Sequence, residues 1–300
     1  MAVGDAEAFV AHRDLMFAVA YRMLGTVADA EDVVQDAWLR WSAAPRDDVT
    51  EPRSYLARTV TNIALNRLRA ARARRESYVG PWLPELLLTR TDPDIEERAE
   101  VAESVSVAML VVLESLTPEE RAVFVLREVF GFTHAEIAAA LDRSEPAVRQ
   151  LAHRAREHVQ ARRPRFEVDR EQQREVTARF LAAAVGGDLN GLLAVLAPDV
   201  TLTADGGGKA RAPKRTITGA DRVARVVGRF SGSSYQDIAP VEMSVEVVEI
   251  NGGPGVIVLG RDQIIAAGTF TVADGRITAI QLVTNPDKLN AISAGRTLAL

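Results

Sequence analysis

The 300-residue sequence contains no cysteine, only four histidines and no long apolar run. The absence of cysteine excludes disulfides, thiol catalysis, thiolate zinc fingers and iron–sulfur clusters. The longest apolar runs, such as residues 107–113, fall far short of the roughly 20 residues that span a bilayer. The N-terminus shows no basic segment followed by an apolar stretch, so no secretory signal is expected. We therefore predict a cytoplasmic protein with no membrane partner.

The charge of the chain is weakly acidic overall but is segregated along the sequence. The formal net charge is −5, yet residues 53–75 hold seven arginines and no acidic residue. Acidic residues are concentrated at positions 29–36 and 92–103. Phosphate binding depends on how many cations meet the backbone at once, so the free protein is expected to bind DNA weakly. If the protein acts on DNA, a larger DNA-binding partner would have to supply most of the affinity.

The length predicts two or three domains, and the sequence patterns divide them. Helical periodicity predicts an all-α domain over residues 1–80, followed by a proline-containing linker over 81–102. A second all-α domain is predicted over 103–165. β-branched runs after two helices predict an α+β domain over 166–300, with a run of antiparallel strands and a hairpin turn at Asp274-Gly275. The expected fold class is therefore multidomain, with two all-α domains before an α+β domain.

The second helical domain shows the pattern of a helix-turn-helix. Thr117 and Thr133 each precede a glutamate by three residues, which is the capping-box pattern, and Ser144 opens a further helix with proline in its first turn. The apolar stripe of this last helix leaves one polar face outward, with side chains that suit base edges and phosphates in a major groove. The face comprises Arg149, Gln150, His153, Arg154 and Arg156. The alternative is an ordinary solvated basic face.

Three stretches of the sequence resemble a known family. Residues 29–41 and 54–75 resemble regions 2.2 and 2.3–2.4 of σ70-family transcription initiation factors, and residues 116–156 resemble region 4. The absence of the additional domains of housekeeping σ factors points to the extracytoplasmic-function (ECF) group. The resemblance implies an alternative σ factor that binds core RNA polymerase through its β′ clamp helices and β flap. It also implies recognition of the −35 and −10 elements of promoter DNA.

The resemblance assigns roles to particular residues. The −10 element would be read by Arg58, Asn62, Asn66, Arg67, Arg69 and Arg72, and the −35 element by the outward face of the helix-turn-helix. Contacts to RNA polymerase would come from Asp29, Glu31, Asp32, Gln35, Asp36 and Trp41. Trp38 continues the apolar stripe of its helix and is expected in the core. For Trp41, a place in the core and a place at the polymerase interface are equally expected.

The third domain resembles a SnoaL-like member of the NTF2-like superfamily, a cone of curved sheet with helices over a pocket. Three strings resemble the signature of a σ subgroup with a fused domain of this kind. They are Trp82-Leu83-Pro84-Glu85, Asp205-Gly206-Gly207-Gly208-Lys209 and Asn285-Pro286-Asp287-Lys288-Leu289. Leu86 stands where the subgroup pattern has a second proline. The resemblance implies an interdomain role for these residues, with the domain regulating the σ factor in cis. The glycine string lacks the spacing of a phosphate loop and is either a turn or a cradle for the linker or a neighbouring domain.

Two other functions fit parts of the sequence. A helix-turn-helix repressor with a ligand-sensing domain would leave the first domain unexplained. Residual enzymatic activity of the SnoaL type would need an acidic residue, for which Asp199, Asp205, Asp221 and Asp262 are candidates. No histidine follows His158, so a His–Asp pair inside that domain is excluded. We predict a protein that is not an enzyme, with no cofactor and no metal, and with a small ligand in the SnoaL-like pocket as a minor alternative.

Overall fold

The computed structural model describes residues 3–43, 51–89, 106–162, 170–235 and 237–298. The chain divides into two compact units. Unit 1 contains Met1–Glu76 and Met109–Arg163, and unit 2 contains Ser77–Ala108 and Pro164–Leu300. Both predicted helical domains therefore lie in unit 1. The described part of the linker belongs with the α+β domain.

Four helices form the first part of unit 1: α1 (Val3–Ala11), α2 (Arg13–Leu24), α3 (Val27–Ala43) and α4 (Pro52–Glu76). Gly25 ends α2 in the left-handed conformation, with a φ of 74°, which costs glycine no steric clash. The apolar face predicted for α4 is buried, and it contains Leu56, Val60, Ile63, Ala64 and Leu68. Burial of this face leaves the arginine-rich side of α4 outward.

Four further helices complete unit 1: α5 (Val107–Glu114), which begins in unit 2, α6 (Pro118–Phe124), α7 (His134–Leu141) and α8 (Glu145–Gln160). A short π-helical turn, Val125–Val129, follows α6. Both predicted capping boxes form, at Thr117 and Thr133, and Ser144 caps α8. Asp142 takes the left-handed conformation between α7 and α8 and completes the helix-turn-helix.

Unit 2 contains an eight-stranded sheet. Its strands are β1 (Leu88–Thr89), β2 (Leu196–Asp205), β3 (Ile217–Thr218), β4 (Met243–Ile250), β5 (Gly253–Gly260), β6 (Gln263–Ala273), β7 (Arg276–Val283) and β8 (Thr297–Leu298). Their order in the sheet is β3-β2-β7-β6-β5-β4-β1-β8. The predicted antiparallel run forms from β4 to β7, whereas β2 pairs with β7, and β1 with β8, in parallel. The chain returns across the sheet after β6, so β7 lies between β6 and β2.

Apolar clusters lie on the two faces of this sheet. Helices α9 (Arg170–Gly186), α10 (Leu189–Val195) and α11 (Ala220–Gly232) contribute to one cluster, which includes Phe180, Leu192 and Phe270. The other cluster joins Leu83 and Leu86 to residues of β4–β7 and of α12 (Pro286–Ser293). The sequence analysis did not predict α11 or α12. Burial of Leu86 explains an apolar residue at the position of the second proline.

None of the described helices combines the length and the apolar composition needed to cross a membrane.

Candidate nucleic-acid interface

The outward face of α8 is built as the sequence predicted. Val148, Ala152, Ala155 and Val159 are buried, which fixes the rotation of the helix. All five predicted DNA-contacting side chains on the opposite face are exposed: Arg149, Gln150, His153, Arg154 and Arg156. Three of the arginines form exposed ion pairs, including Arg149 with Glu145 at 2.5 Å. Such pairs contribute little in water, so phosphates can replace them.

The predicted −10 face of α4 is partly engaged inside unit 1. The side-chain amide of Asn62 donates a hydrogen bond of 3.0 Å to the backbone carbonyl of Ala140 in α7. At the start of α4, Arg53 donates to the Phe130 carbonyl at 3.0 Å and lies over the Phe132 ring. In this arrangement Asn62 is therefore not free to contact a base. Arg58 and Asn66 are exposed, whereas the side chain of Arg72 lies outside the described residues.

On α4, the predicted DNA-contacting residues Arg67 and Arg69 pair with acidic residues. Arg67 bridges Asp32 at 3.0 Å and Asp36 at 2.7 Å, both of which are predicted polymerase contacts on α3. Burial lowers the pKa of Arg67, but the two carboxylates outweigh it and raise the pKa above its usual value. Arg69 pairs with Glu119 of α6 at 2.6 Å, and its hydrogen bond lowers the pKa of Glu119. These arginines would have to exchange partners to meet DNA.

The side of α3 that was predicted to contact polymerase buries one predicted residue and exposes a leucine that was not predicted. Trp41 is only 3% exposed and packs on Tyr55 with ring centroids 5.7 Å apart, so its assignment as a surface anchor is wrong. Leu39 is 59% exposed instead. It lies four residues after Gln35 and seven after Asp32, on the same helical face. The signal was present in the sequence, since Leu39 falls outside the apolar stripe of α3. Asp29 accepts a hydrogen bond of 2.6 Å from Thr26, and Glu31 is half-buried.

A buried arginine links α6 to two other elements of unit 1. Arg121 is 2% exposed, and it donates to the Met23 carbonyl at 2.8 Å and to the Glu114 carboxylate at 2.7 Å. Met23 belongs to the region-2-like helices and Glu114 to the region-4-like ones. A buried guanidinium needs such partners because an unpaired charge is costly in the interior. Arg121 therefore fixes the two helical domains together in this conformation.

The three strings of unit 2 meet at one buried carboxylate. Asp205 is fully buried, and its side chain accepts hydrogen bonds from Tyr78 at 2.6 Å, from the backbone of Leu83 at 2.8 Å and from Gly207 at 3.0 Å. Its fourth partner is the ammonium of Lys288 at 2.7 Å. A buried carboxylate is tolerated only when it is paired and hydrogen-bonded, as here. We call Asp205, Lys288, Tyr78 and Leu83 the linker clasp.

Lys288 is the cation of the clasp and is itself nearly buried. Its ammonium donates to the Leu83 carbonyl as well as to Asp205. It also lies 4.1 Å from the centroid of the Trp82 ring and 5.0 Å from that of Tyr78. Asn285 caps α12 and donates to the Tyr78 hydroxyl at 2.9 Å, which connects the third string to the linker. The lysine is therefore surrounded by linker residues.

The glycine string packs closely against both its neighbours. A Cβ on Gly207 would lie 2.6 Å from the Asn285 side-chain carbon, and one on Gly208 would lie 3.1 Å from the Val79 side chain. Both glycines also have positive φ, at 59° and 72°. The loop is a turn, in which Lys209 and Ala210 donate to the Gly206 carbonyl, and it also packs against Val79, just before the predicted linker. Pro84 and Leu289 are buried beside it, Glu85 is half-buried, and Lys209 pairs with Asp287 on the surface beside the exposed Pro286. Gly206 is buried at the end of β2.

The acidic residues considered for catalysis do not form a site. Asp205 is fully used in the clasp, whereas Asp199, Asp221 and Asp262 are exposed. The space between the sheet and helices α9–α11 is lined by apolar side chains such as Phe180 and Phe270. Among the described residues, no group of histidine and acidic side chains is arranged to hold a metal ion.

Comparison with known proteins agrees with this architecture. Two family models match, Sigma-70 region 2 over residues 8–74 and Sigma-70 region 4 over residues 106–159. Together with the helical unit they define a σ70-type transcription initiation factor, which is not an enzyme. Unit 2 has the α+β architecture that the sequence predicted, with helices packed on a mixed sheet.

Full-length relatives narrow the class. The chain is 39% identical over 290 residues to the ECF RNA polymerase sigma factor SigJ of Mycobacterium tuberculosis, covering 93% of this chain and 91% of SigJ. It is 32% identical to SigI of the same species, covering 96% and 95%. The crystal structure of M. tuberculosis SigJ matches with a TM-score of 0.74 and 36% identity, covering 95% of this chain and 98% of that one. The chain belongs to the ECF RNA polymerase sigma factors.

Proposed function

We propose that this σ factor binds core RNA polymerase through α3 and reads the two promoter elements with separate faces of unit 1. The observation that carries the proposal is the outward face of α8, on which Arg149, Gln150, His153, Arg154 and Arg156 are all exposed. Arginine and glutamine side chains at this spacing suit guanine and adenine edges in the major groove. This face is assigned to the −35 element.

The −10 element is assigned to α4, which must first be released. Asn62 donates to Ala140, and Arg69 pairs with Glu119, so two readers are held by region-4-like helices. A protein that reads two separated elements at once needs its two reading faces apart. Unit 1 as described is therefore the closed form, and binding to core polymerase favours an open form. Core polymerase shifts this equilibrium only if it has a higher affinity for the open form.

Run-off transcription with core RNA polymerase on a promoter library tests this assignment. We expect the full chain to initiate at a defined set of promoters, Arg149→Ala to lose −35 preference and Asn62→Ala to lose −10 preference. Arg179→Ala, an exposed change in α9 of unit 2, is the matched control. A chain that binds its duplex site tightly without polymerase and does not direct initiation would instead be a helix-turn-helix repressor.

We further propose that unit 2 regulates the σ factor in cis through the linker clasp. The supporting observation is that the linker string is held by a buried ion pair, Asp205 with Lys288, and is not exposed as a free connection. Covalent attachment keeps the regulatory unit at high effective concentration without a separate partner. Whether the linker is clasped would then set how readily the σ factor engages core polymerase.

Deletion of residues 166–300 is a poor test, because it would expose the apolar side chains of Leu83 and Leu86. Lys288→Met in the full chain removes one partner of the clasp and leaves the rest in place. We expect a changed affinity for core polymerase and a changed run-off yield, with Arg179→Met as the control. Unchanged core affinity and transcription, with the linker shown to be released, would contradict regulation by the clasp.

A further inference from the structure

The β2–β3 loop and helix α11 of unit 2 carry a strong concentration of positive charge. Between positions 209 and 229 the sequence has seven basic residues and a single acidic one, in a chain whose formal net charge is −5. All seven basic side chains are exposed. This cluster lies outside both σ regions, which end at residue 159 in the family comparison.

One part of the cluster is an arginine row on α11. Arg222, Arg225 and Arg229 are spaced three and four residues apart and therefore share one face of the helix. Val223 and Ala224, on the opposite side, are fully buried in the apolar cluster above the sheet. The helix cannot rotate without losing this burial, so the arginine row is held outward. Its length is about 10 Å, from the rise of a helix per residue.

The other part is the loop between β2 and β3, with Arg211, Lys214 and Arg215 exposed. The loop is anchored at both ends. The Tyr235 hydroxyl donates to the Arg211 carbonyl at 3.0 Å, and Thr216 contacts Thr203 of β2 at 3.1 Å. Strand β3 then leads directly into α11, with Gly219 donating to the Val200 carbonyl at 2.9 Å. The loop and the helix are thus attached to the same edge of the sheet.

Carboxylates among the described residues of unit 2 do not neutralise most of these cations. In the part of unit 2 that the structure describes, no ion pair involves Arg211, Lys214, Arg215, Arg222, Arg225 or Arg229. Lys209 differs, since it pairs with Asp287. Asp221 and Asp199 lie near the N-terminal end of α11, so the excess positive charge is greatest towards Arg225 and Arg229.

We propose that this basic surface, formed by Arg211, Lys214, Arg215, Arg222, Arg225 and Arg229, binds the phosphate backbone of duplex DNA. Five of its six cations are arginines, whose planar guanidinium forms paired hydrogen bonds to phosphate oxygens. These long, exposed side chains suit contacts to the phosphate backbone, which carry no sequence information. It would add a third DNA contact to the two σ faces. DNA is the partner that the observations favour because the same chain carries those two faces.

Fluorescence anisotropy of the full chain with a labelled duplex of arbitrary sequence tests the proposal without polymerase. The patch variants are Arg222→Gln/Arg225→Gln/Arg229→Gln and Arg211→Gln/Lys214→Gln/Arg215→Gln. The control, Arg170→Gln/Arg179→Gln/Arg296→Gln, removes the same charge from other positions of unit 2. A plot of log K against log salt has a negative slope, and each lost phosphate contact reduces its magnitude by on the order of 0.9. Each patch triple should therefore reduce the magnitude of the slope by about two to three. Affinity at about 50 mM salt should fall roughly tenfold.

The outcomes separate this proposal from the σ assignment, because a random duplex requires no promoter and no polymerase. A smaller magnitude of the salt slope in both patch triples, with the control unchanged, supports DNA binding by this surface even if the promoter-reading residues are assigned wrongly. Equal slopes in all four proteins, with thermal unfolding confirming that they are folded, overturn it. A parallel binding assay with core polymerase covers the other class of partner: weaker core binding by the patch triples, with an unchanged slope on DNA, also overturns the proposal and assigns the surface to polymerase.

Discussion

The ammonium of Lys288 lies 2.7 Å from the carboxylate of Asp205, and the two side chains are 7% and 0% exposed. The pair joins α12 to the end of β2, and both groups also bind the backbone of Leu83 in the linker. Three separate strings, of which the first and the last contribute Leu83 and Lys288 at 205 residues apart, thus form one site. Because neither charge is accessible to water, each depends on the other to be tolerated.

Loss of Lys288 should therefore destabilise unit 2. We expect Lys288→Met to lower the free energy of unfolding by about 3–5 kcal/mol, because it leaves the Asp205 carboxylate buried without its counter-charge. Asp205→Asn/Lys288→Met should recover part of the loss, since both charges are gone. Urea denaturation measures the change, and hydrogen exchange of residues 78–89 locates it.

A matched control lies on the surface of the same unit. Lys209 and Asp287 are also 2.6 Å apart but are 58% and 62% exposed. Lys209→Met should cost no more than about 1 kcal/mol, because solvent screens an exposed pair. Equal effects of Lys209→Met and Lys288→Met would show that burial does not decide the strength of the clasp.

Trp41 and Leu39 should separate stability from polymerase binding. Trp41→Ala is expected to cost about 3–5 kcal/mol in unit 1, because it removes a buried ring that packs on Tyr55. Leu39→Ala should leave the unfolding midpoint almost unchanged but weaken binding to core polymerase, because its side chain is exposed between predicted contacts. Thermal unfolding and a pull-down titration with core polymerase provide the two measurements. Normal core binding by Leu39→Ala would remove it from the interface.

Tyr78 should titrate late at alkaline pH. Burial, followed by its hydrogen bond to Asp205, raises the pKa of the Tyr78 hydroxyl above its usual value near 10.0, although the hydrogen bond from Asn285 opposes this. A raised pKa means that the neutral hydroxyl is favoured in the folded state. Its contribution to stability is complete below pH 10.0 and is lost as the pH rises through the folded-state pKa.

Ultraviolet difference titration of the four tyrosines measures this delay. The tyrosine that ionises at the highest pH should be absent from the titration of Tyr78→Phe. In the unfolded chain Tyr78 should ionise at a lower pH than in the folded protein. If the tyrosine that is lost in Tyr78→Phe had an ordinary pKa, the hydrogen bond to Asp205 would not persist in solution.

The first helix of the helix-turn-helix depends on its cap. The Thr133 side chain accepts a hydrogen bond from the backbone N–H of Glu136, and the Glu136 carboxylate accepts one from the backbone N–H of Thr133. Thr133→Ala should cost about 1 kcal/mol, whereas Thr133→Ser should cost much less because serine retains the accepting oxygen. The difference in unfolding midpoint between the two variants measures the cap. Equal midpoints would mean that the cap contributes nothing measurable.

Local patterns in the sequence were enough for the helical unit. Capping boxes at Thr117 and Thr133 and the apolar stripes of α4 and α8 involve residues three or four positions apart, so periodicity predicts them directly. The strands of unit 2 were also recognised, and Asp274 and Gly275 both have the positive φ of the predicted hairpin turn. The parallel pairing of β2 with β7 was not, because strand order depends on contacts that are distant in the chain.

The sequence by itself determined which faces of the helices are polar, where the helices begin, and that the chain combines σ regions with an α+β domain. Only the tertiary structure decided that Trp41 is buried, that Asn62 is held by Ala140, and that Asp205 and Lys288 meet. The reason is physical: the period of a helix is encoded within a few residues, whereas burial and charge pairing depend on which distant segments are brought together by packing.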